Sequence, residues 1–390
     1  MLIKKILANI ILHFLVIFIL VIPKAVLAQE KGPPKPKEWK GSGEKIEFQS
    51  IPVITVKDFL TGKVPEKMQT IWGTLNFPAN APDKNVPVVV VLHGGGGIHG
   101  SEERWLNIFN SMGLATFMVD SNWPRRKCKE TFKKAIPNCN DVHKGITRIV
   151  DARRALELLS KHPRIDPARI GCIGSSLGGI GCLYQSVKRF QKMWGAPGIE
   201  FAASVPMYPV CNFKYVEDDE MSDEPIRIHI GDLDQYGSAE SCVKYVERLH
   251  LKGKDITVTV YPGVHHAFDA MSTGKDGPQT TFKQKGQFFS KCNFEENTDS
   301  SVLNEENLGK GFQQILTQVG FNEWLTSAEK KKIKKLFKWV KKGSKRGYVS
   351  PTIIFDRSCV TKVGTNKYDK EAAKKVTGLV KKFFTETLLN

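Results

Sequence analysis

Three observations predict a mainly parallel α/β sheet flanked by helices. The run Val86–Leu92 is continuously apolar, which is typical of a strand buried on both faces. From there to about residue 261, short β-prone stretches alternate with helical patterns, as expected for parallel strands joined by helices. Finally, residues 169–181 have the pattern of a strand, a tight glycine turn and a helix.

Each predicted element follows from a local pattern. The first two strands alternate apolar and polar residues and form an antiparallel start, whereas the later strands are short apolar runs. The helices repeat apolar residues at spacings of three and four, and a proline or glycine ends several of them. The predicted strands are 44–56, 69–76, 86–92, 115–120, 169–173, 201–207, 226–230 and 256–261, and the helices are 101–112, 142–162, 180–190, 239–251, 304–316, 327–342 and 369–389.

The N-terminus has the pattern of a secretory signal peptide. Two lysines precede an apolar run over 6–22, and Val26 and Ala28 suit the −3 and −1 positions of a cleavage site. We therefore expect cleavage after Ala28 and export to the periplasm or to the medium. The alternative is an uncleaved N-terminal anchor, because the apolar run is long for a signal peptide. No later segment is apolar enough to span a bilayer.

Five segments are expected along the chain. The lysine-rich helix 327–342 keeps an apolar stripe, so it is predicted to pack on the surface with a solvated basic face. A nucleic-acid or membrane arm is the less favoured interpretation of that helix. The segments are a signal peptide (1–28), an N-terminal extension (29–70), a core (71–290), a lysine-rich helical insertion (291–359) and a last helix that completes the core (360–390).

The chain carries a net charge of +18 and contains 8 cysteines. The basic balance favours anionic surfaces or substrates as partners. Cysteines of an exported chain are mostly oxidised. One disulfide is suggested by two cysteines that share a loop, and a second by two cysteines that flank the lysine-rich insertion. Cys172 and Cys182, in the strand and helix around the glycine turn, are expected to be buried thiols. The two suggested pairs are Cys128 with Cys139 and Cys292 with Cys359.

The glycine turn carries the sequence motif G-x-S-x-G at residues 174–178. Such a turn holds its serine in a strained backbone conformation with the hydroxyl exposed above the sheet. Ser176 has glycines two residues before and after it, whereas Ser175 would have Ile173 and Leu177 there, which are too bulky. Taken alone, the motif also fits a glycine-rich turn without chemistry.

A nucleophilic serine needs a general base, and the base needs a carboxylate that fixes its tautomer. On a sheet of this kind the expected chain order is serine, acid and histidine, each on a loop after a strand. The loop after IRIHI offers Asp232 and Asp234, and the loop after ITVTVY offers His265 and His266. All three residue types therefore occur in the expected order and positions.

An oxyanion would need two preorganised donors. The backbone N–H of Leu177, just after the serine, is one candidate, and the N–H of Gly95 in the glycine run 93–97 is the other. A dinucleotide-binding loop is disfavoured for that run, because the G-x-G-x-x-G spacing is absent.

These motifs together resemble the dienelactone hydrolase family of the α/β-hydrolase superfamily. The resemblance implies an α/β-hydrolase fold, Ser176 as nucleophile, Asp234 as the acid in a G-x-x-D pattern and His266 as the base in an H-A-F pattern. It also implies a disulfide between Cys211 and Cys242. It is carried by VVVVLHGGGG (88–97), ATFMVDSNWPR (115–125), DPARIGCIGSSLGG (166–179), HIGDLDQYGSAESC (229–242) and YPGVHHAFD (261–269).

The expected function is that of an exported serine hydrolase that cleaves a carboxylic ester or lactone. The founding family members use cysteine as nucleophile, so the serine here favours esters simpler than dienelactone. No metal or organic cofactor is expected, because HExxH and paired CxxC motifs are absent. The expected partner is a small-molecule ester, and no nucleic acid is expected. Two roles stay open for Arg125 and Arg126: they either bind a carboxylate of the substrate or are solvated loop residues.

Two other functions fit parts of the sequence. A peptidase on the same fold is one, although the propeller or cap domain that many such peptidases carry is missing. The other is a non-catalytic binding protein of the export compartment, in which the basic insertion would contact an anionic polymer or membrane. An intact set of serine, acid and histidine argues against the second.

Overall fold

The structure is a computed structural model, which describes most of the core and the C-terminus. The predicted signal peptide and the lysine-rich helix lie outside the described residues, as do Cys128, Cys139 and Cys359. The described residues are 40–54, 56–126, 141–270, 272–274, 277–279, 281–288, 290–296, 303–305, 348–349 and 361–390.

The central sheet has eight strands in the order β1-β2-β4-β3-β5-β6-β8-β9. Strand β2 is antiparallel to both of its neighbours, and every other neighbouring pair is parallel. The predicted mainly parallel sheet is therefore confirmed. The first nine strands are β1 (Glu44–Ser50), β2 (Gln69–Asn76), β3 (Val86–Leu92), β4 (Ala115–Asp120), β5 (Ile165–Ser175), β6 (Ala203–Met207), the short β7 (Phe213–Lys214), β8 (Ile226–Gly231) and β9 (Ile256–Tyr261).

Helices cover both faces of this sheet. All seven residues of β3 are buried, and its valines alternate between the two sides: Val88 and Val90 join one apolar cluster, Val89 and Val91 the other. Burial on both faces explains the continuous apolar run in the sequence. The helices are α1 (Val56–Leu60), α2 (Gly100–Ser111), α3 (Asp141–Ser160), α4 (Leu177–Tyr184), α5 (Lys188–Trp194), α6 (Ala239–His250) and α7 (Lys370–Phe384).

The last helix packs against the core. Asp369 caps α7 by accepting a hydrogen bond from the backbone N–H of Ala372 at 2.9 Å. Phe384 packs edge-on against Phe109 of α2, with ring centroids 5.4 Å apart. Leu379, which was predicted on the apolar side, is instead 39% exposed.

Further short strands lie between β9 and α7. They are β10 (Ser272–Gly274), β11 (Gly277–Gln279), β12 (Thr281–Phe288), β13 (Phe294–Glu296), β14 (Leu303–Glu305), β15 (Tyr348–Val349) and β16 (Thr361–Lys367). Strands β12 and β16 form an antiparallel pair, which we call the ribbon. Strand β13 pairs with β14 and with β7, and so joins this region to the core.

Three boundaries differ from the predictions. The strand expected over 44–56 ends at Ser50, because Pro52 has no N–H to continue a ladder, and α1 follows. The helix expected over 180–190 is two helices, since Val187 leaves the helix to form a bridge with Met221. A helix was expected over 304–316, but residues 304 and 305 belong to strand β14. The residues from 306 onward lie outside the described part.

Two disulfides join described cysteines. Cys211 is bonded to Cys242, with Cα atoms 4.9 Å apart. The expectation that Cys172 and Cys182 are thiols was wrong, because they are bonded to each other. Helix α4 turns back along β5 and brings their Cα atoms to 5.8 Å, within disulfide range. Cys292 is also disulfide-bonded.

Candidate active site

The turn between β5 and α4, residues Gly174 to Gly178, holds Ser176 in a strained conformation. Ser176 has φ 55° and ψ −111°, a region that residues with a side chain seldom occupy. A Cβ on Gly174 would lie 2.2 Å from the carbonyl oxygen of Gly178, and a Cβ on Gly178 would lie 2.1 Å from that of Leu92. The close approach of strand and helix therefore requires both glycines.

Three predicted residues meet at the carboxyl edge of the sheet. His266 Nε2 lies 2.9 Å from Ser176 Oγ, and His266 Nδ1 lies 2.6 Å from Asp234 Oδ2. Because a carboxylate only accepts hydrogen bonds, Nδ1 carries the proton and Nε2 accepts from the serine hydroxyl. His266 and Asp234 are both buried, so water competes little for these bonds.

The second oxygen of the Asp234 carboxylate is held by its own loop. Asp234 Oδ1 accepts hydrogen bonds from the backbone N–H groups of Tyr236 at 2.7 Å and Gly237 at 3.0 Å. These two donors leave Oδ2 facing the imidazole of His266. The carboxylate is thus fixed before any substrate arrives.

The neighbouring aspartate and histidine occupy different positions. Asp232 is exposed, and its Oδ1 accepts from the backbone N–H of Val264 at 3.3 Å, so it braces one loop against the next. His265 is half-buried and is not part of the Ser176–His266–Asp234 hydrogen-bond chain.

Two tyrosines enclose the imidazole of His266. Tyr236 stacks on it with ring centroids 4.4 Å apart at 25°, and Tyr208 meets it edge-on at 4.7 Å and 66°. Tyr208 and Ala267 both have positive φ, at 37° and 55°, like Ser176. Three of the five non-glycine residues with positive φ among the described residues therefore cluster here, where backbone strain often marks a functional site.

Tyr208 is anchored by a buried carboxylate. Its hydroxyl donates to Asp269 Oδ1 at 2.8 Å, while Asp269 Oδ2 accepts from Trp105 Nε1 at 2.8 Å and from Arg104 at 3.3 Å. Burial and the nearby Asp269 raise the pKa of the Tyr208 hydroxyl well above its usual value. The hydroxyl therefore stays protonated and keeps its role as donor.

The glycine run beside Ser176 is oriented by His93. Ser121 N–H donates to His93 Nε2 at 3.1 Å, so Nδ1 carries the proton and donates to the carbonyl of Gly94 at 2.7 Å. Burial, with a smaller effect of Arg148, lowers the pKa of His93, so the ring is neutral. In a trans peptide the C=O and N–H point in opposite directions, so the Gly95 N–H points away from His93.

The same run is braced from its other side. Asn122 Nδ2 donates to the Gly95 carbonyl at 3.0 Å, and Arg148 donates to Asn122 Oδ1 at 2.6 Å. A Cβ on Gly95 would lie 3.3 Å from Leu177 Cδ1, so Gly95 lies directly beside Leu177. The two residues whose backbone N–H groups are the predicted oxyanion donors are therefore neighbours in the folded chain.

The two arginines that the sequence left open have different surroundings. Arg125 is buried and makes a two-pronged ion pair with Asp151 at 2.8 and 2.7 Å, which joins the β4 loop to α3. The guanidinium of Arg125 is thus already paired with a carboxylate of the protein. Arg126 is exposed and stacks on Trp123, with its guanidinium carbon 4.6 Å from the ring centroid.

Sequence reasoning did not single out the residues that surround the candidate triad. Tyr236 and Asp269 lie in quoted motifs and Tyr208 directly follows a predicted strand, but a tyrosine or aspartate after a strand is too common to be singled out. Their stacking and burial appear only in the folded chain. In the part of the chain that the structure describes, no group of three or more His, Cys, Asp or Glu side chains is arranged for a metal ion. No helix there is long and apolar enough to cross a membrane.

Solved structures match parts of the chain. A thermophilic esterase of Thermogutta terrifontis with bound propionate is 18% identical, with 51% of this chain and 80% of that chain covered and a TM-score of 0.40. Esterase 2 of that species, phosphorylated by paraoxon, is 17% identical, with 53% and 82% covered and a TM-score of 0.41. A Klebsiella pneumoniae protein suggested to be a dienelactone hydrolase is 15% identical, with 58% and 89% covered and a TM-score of 0.39. Similarity at this level says nothing of the substrate.

The family is shown by the sequence itself. A comparison with curated proteins found no match. The sequence profile of the dienelactone hydrolase family matches residues 72–290, which is more than half of the 390 residues. This range holds six of the eight strands of the central sheet, most of β2 and all three residues that meet at the carboxyl edge. The chain belongs to the dienelactone hydrolase family of the α/β-hydrolase superfamily.

Proposed function

We propose that the protein is an exported serine hydrolase that cleaves carboxylic esters or lactones. The observation that carries this proposal is the continuous hydrogen-bond chain from Ser176 through His266 to Asp234, with the serine at a strained strand–helix turn. A serine on such a turn, with a base in contact and a carboxylate behind the base, is the arrangement that acyl transfer needs.

In the acylation step, Ser176 Oγ attacks the carbonyl carbon of the ester. His266 Nε2 accepts the hydroxyl proton as the Oγ–carbon bond forms, and Asp234 Oδ2 stabilises the imidazolium through Nδ1–H. His266 then gives the proton to the leaving alkoxide, and the alcohol departs. An acyl-serine is left, and the imidazole is neutral again.

In the deacylation step, water takes the place of the alcohol. His266 accepts a proton from the water, the resulting hydroxide attacks the acyl carbon, and Ser176 Oγ recovers its proton as the acid leaves. The backbone N–H groups of Leu177 and Gly95 are the proposed donors to the oxyanion of both tetrahedral intermediates. Loss of one such donor costs about 3 kcal/mol of transition-state stabilisation in other hydrolases of this type.

The substrate class follows from the nucleophile and from the charge. Serine in place of the family's cysteine favours simple esters over dienelactone. The net charge of +18 favours esters that carry an anionic group, although Arg125 is taken up by Asp151.

The proposal is tested by hydrolysis of a panel of p-nitrophenyl esters of increasing chain length, with acidic and aromatic esters included. The wild type should turn over at least one of them, and Ser176→Ala should lower kcat by about 1000-fold or more. Ser186→Ala is a matched control, because Ser186 is a buried serine just beyond α4 whose hydroxyl bonds to the backbone of Leu183. Equal turnover by the wild type and Ser176→Ala would refute the proposal.

A further inference from the structure

The ribbon lies against both loops that carry the candidate acid and base. Gln235 Oε1, in the acid loop, accepts a hydrogen bond from the backbone N–H of Thr365 at 3.0 Å. In the base loop, the carbonyl of His266 accepts from the backbone N–H of Lys367, also at 3.0 Å. One strand, β16, thus contacts both loops within three residues.

Tyr236 joins the acid, the base and the ribbon in one side chain. Its backbone N–H donates to Asp234 Oδ1 at 2.7 Å, and its ring stacks on His266 at 4.4 Å. Its hydroxyl accepts from Asn366 Nδ2 at 2.8 Å and lies 3.3 Å from Gln284 Oε1. Asn366 and Gln284 belong to the two different strands of the ribbon, so the hydroxyl is held by both.

The ring of Tyr236 has little room to move. Phe288 of β12 packs against it, with ring centroids 4.4 Å apart at 58°. Gly364 of β16 lies so close that a Cβ there would be 2.5 Å from ring carbons of Tyr236. No real Cβ tolerates such a distance, so a side chain at this position would displace the ring.

The imidazole of His266 therefore lies between two tyrosine rings, one anchored by the core and the other held by the ribbon. Tyr208, anchored by Asp269, is the first, and Tyr236 is the second. We infer that Tyr236 is a positioning residue for His266, and that the ribbon sets the plane of the imidazole through the ring of Tyr236. This inference rests on the proposed function, since it concerns how the base of that reaction is held.

The effect should appear in turnover rather than in substrate binding. Displacement of a catalytic group by about 1 Å can cost about 100-fold in rate, because the hydrogen bonds of the transition state depend on direction. Tyr236→Ala should therefore lower kcat by about 10- to 100-fold, with KM changed by less than about threefold. Tyr236→Phe keeps the ring and the backbone N–H, so it should restore kcat to within about threefold of the wild type.

Phe77→Ala is the matched control. Phe77 is also a half-buried aromatic residue beside a histidine, His162, with ring centroids 6.0 Å apart. It follows β2 at the amino edge of the parallel strands, away from Ser176. Its loss should lower thermal stability by an amount similar to that of Tyr236→Ala and leave kcat at the wild-type value.

Gly364→Ala tests the link to the ribbon through a residue that is not part of the candidate triad. Its added methyl should push the Tyr236 ring away and lower kcat by about tenfold. In the Tyr236→Ala background the methyl has room, so Gly364→Ala should then change kcat by less than about twofold. Non-additivity of this kind is the signature of one shared structural path.

The experiment measures kcat and KM of the folded variants for one p-nitrophenyl ester, with active sites counted by fluorophosphonate titration and folding checked by circular dichroism. Equal kcat in the wild type and Tyr236→Ala, a loss confined to KM, or an equal loss from Gly364→Ala in both backgrounds would each overturn the positioning role. All three leave the proposed function intact if the wild type turns over the ester. A wild type that shows neither turnover nor labelling would overturn the proposed function, and the inference with it.

Discussion

At the scale of single residues, the environments of Asp234 and Asp232 separate two otherwise similar side chains. Asp234 is buried, and one of its oxygens is fixed by two backbone donors while the other faces His266. Asp232 is exposed, and its side chain accepts a hydrogen bond from the backbone N–H of Val264 in the next loop. Both carboxylates follow the same strand, but one of them is oriented toward the imidazole.

This difference predicts the outcome of a paired substitution. Asp234→Asn should lower kcat by about 100-fold or more, because an amide cannot stabilise the imidazolium and favours the wrong tautomer. Asp232→Asn should stay within about threefold of the wild type, since it alters only a loop brace. Ester hydrolysis under saturating substrate measures both. If Asp232→Asn were the more damaging of the two, the acid would have to be reassigned.

At the scale of elements, the junction of β5 with α4 explains both the strained serine and a disulfide. Glycines at 174 and 178 allow the helix to fold back tightly along the strand. The same close packing brings Cys172 to Cys182. From the sequence alone, one cysteine in the strand and the other in the helix indicated two buried thiols.

The amino end of β8 carries a buried acid that should make stability depend on pH. Glu224 accepts hydrogen bonds from Gln185 at 2.6 Å and Ser204 at 3.1 Å, and burial raises the pKa of its carboxyl to about 8 from a usual value of 4.5. Between these two pH values the folded protein holds one more proton than the unfolded chain. Stability should therefore be greatest below pH 4.5 as far as this group is concerned and fall as pH rises toward 8.

Glu224→Gln removes that titration. From pH 5 to pH 8 the wild type should lose up to about 1 kcal/mol of unfolding free energy per pH unit from this group, and the variant should not. Glu157→Gln is the control, because a hydrogen bond from Lys161 lowers the pKa of Glu157 from 4.5 and its titration lies below this window. Thermal midpoints across the range give the slopes. Parallel slopes for the wild type and Glu224→Gln would contradict the account.

At the scale of the whole molecule, the regular parts of the fold could be predicted and the contacts between distant segments could not. The buried strands and the G-x-S-x-G turn have local signatures, and the candidate acid and base follow from their place after predicted strands. The ribbon could not be foreseen, because Gln284 and Asn366 are far apart in sequence and their strands are short and polar. The role of Tyr236 depends on that pairing, so it too becomes visible only in the structure.

The proposed export makes a prediction about the intact protein. The five described cysteines are all disulfide-bonded, so at least three disulfides are expected, and reduction should raise the mass by about 6 Da or more. In a secreting host the mature chain should begin at Gln29, after removal of the apolar segment. Intact-mass analysis with and without reductant measures both. Six or more free thiols would argue against export, and a retained Met1 would argue against cleavage.

The most direct test of the central claim is to find which serine a fluorophosphonate modifies. Ser175 and Ser176 are neighbours, but Ser176 alone has the strained backbone and the contact to His266, whereas Ser175 ends β5 and hydrogen-bonds to Tyr208. Peptide mass mapping of the labelled protein should place one adduct on Ser176, with labelling abolished in Ser176→Ala and kept in Ser175→Ala. An adduct on another residue, or undiminished labelling of Ser176→Ala, would contradict the assignment of Ser176 as the nucleophile.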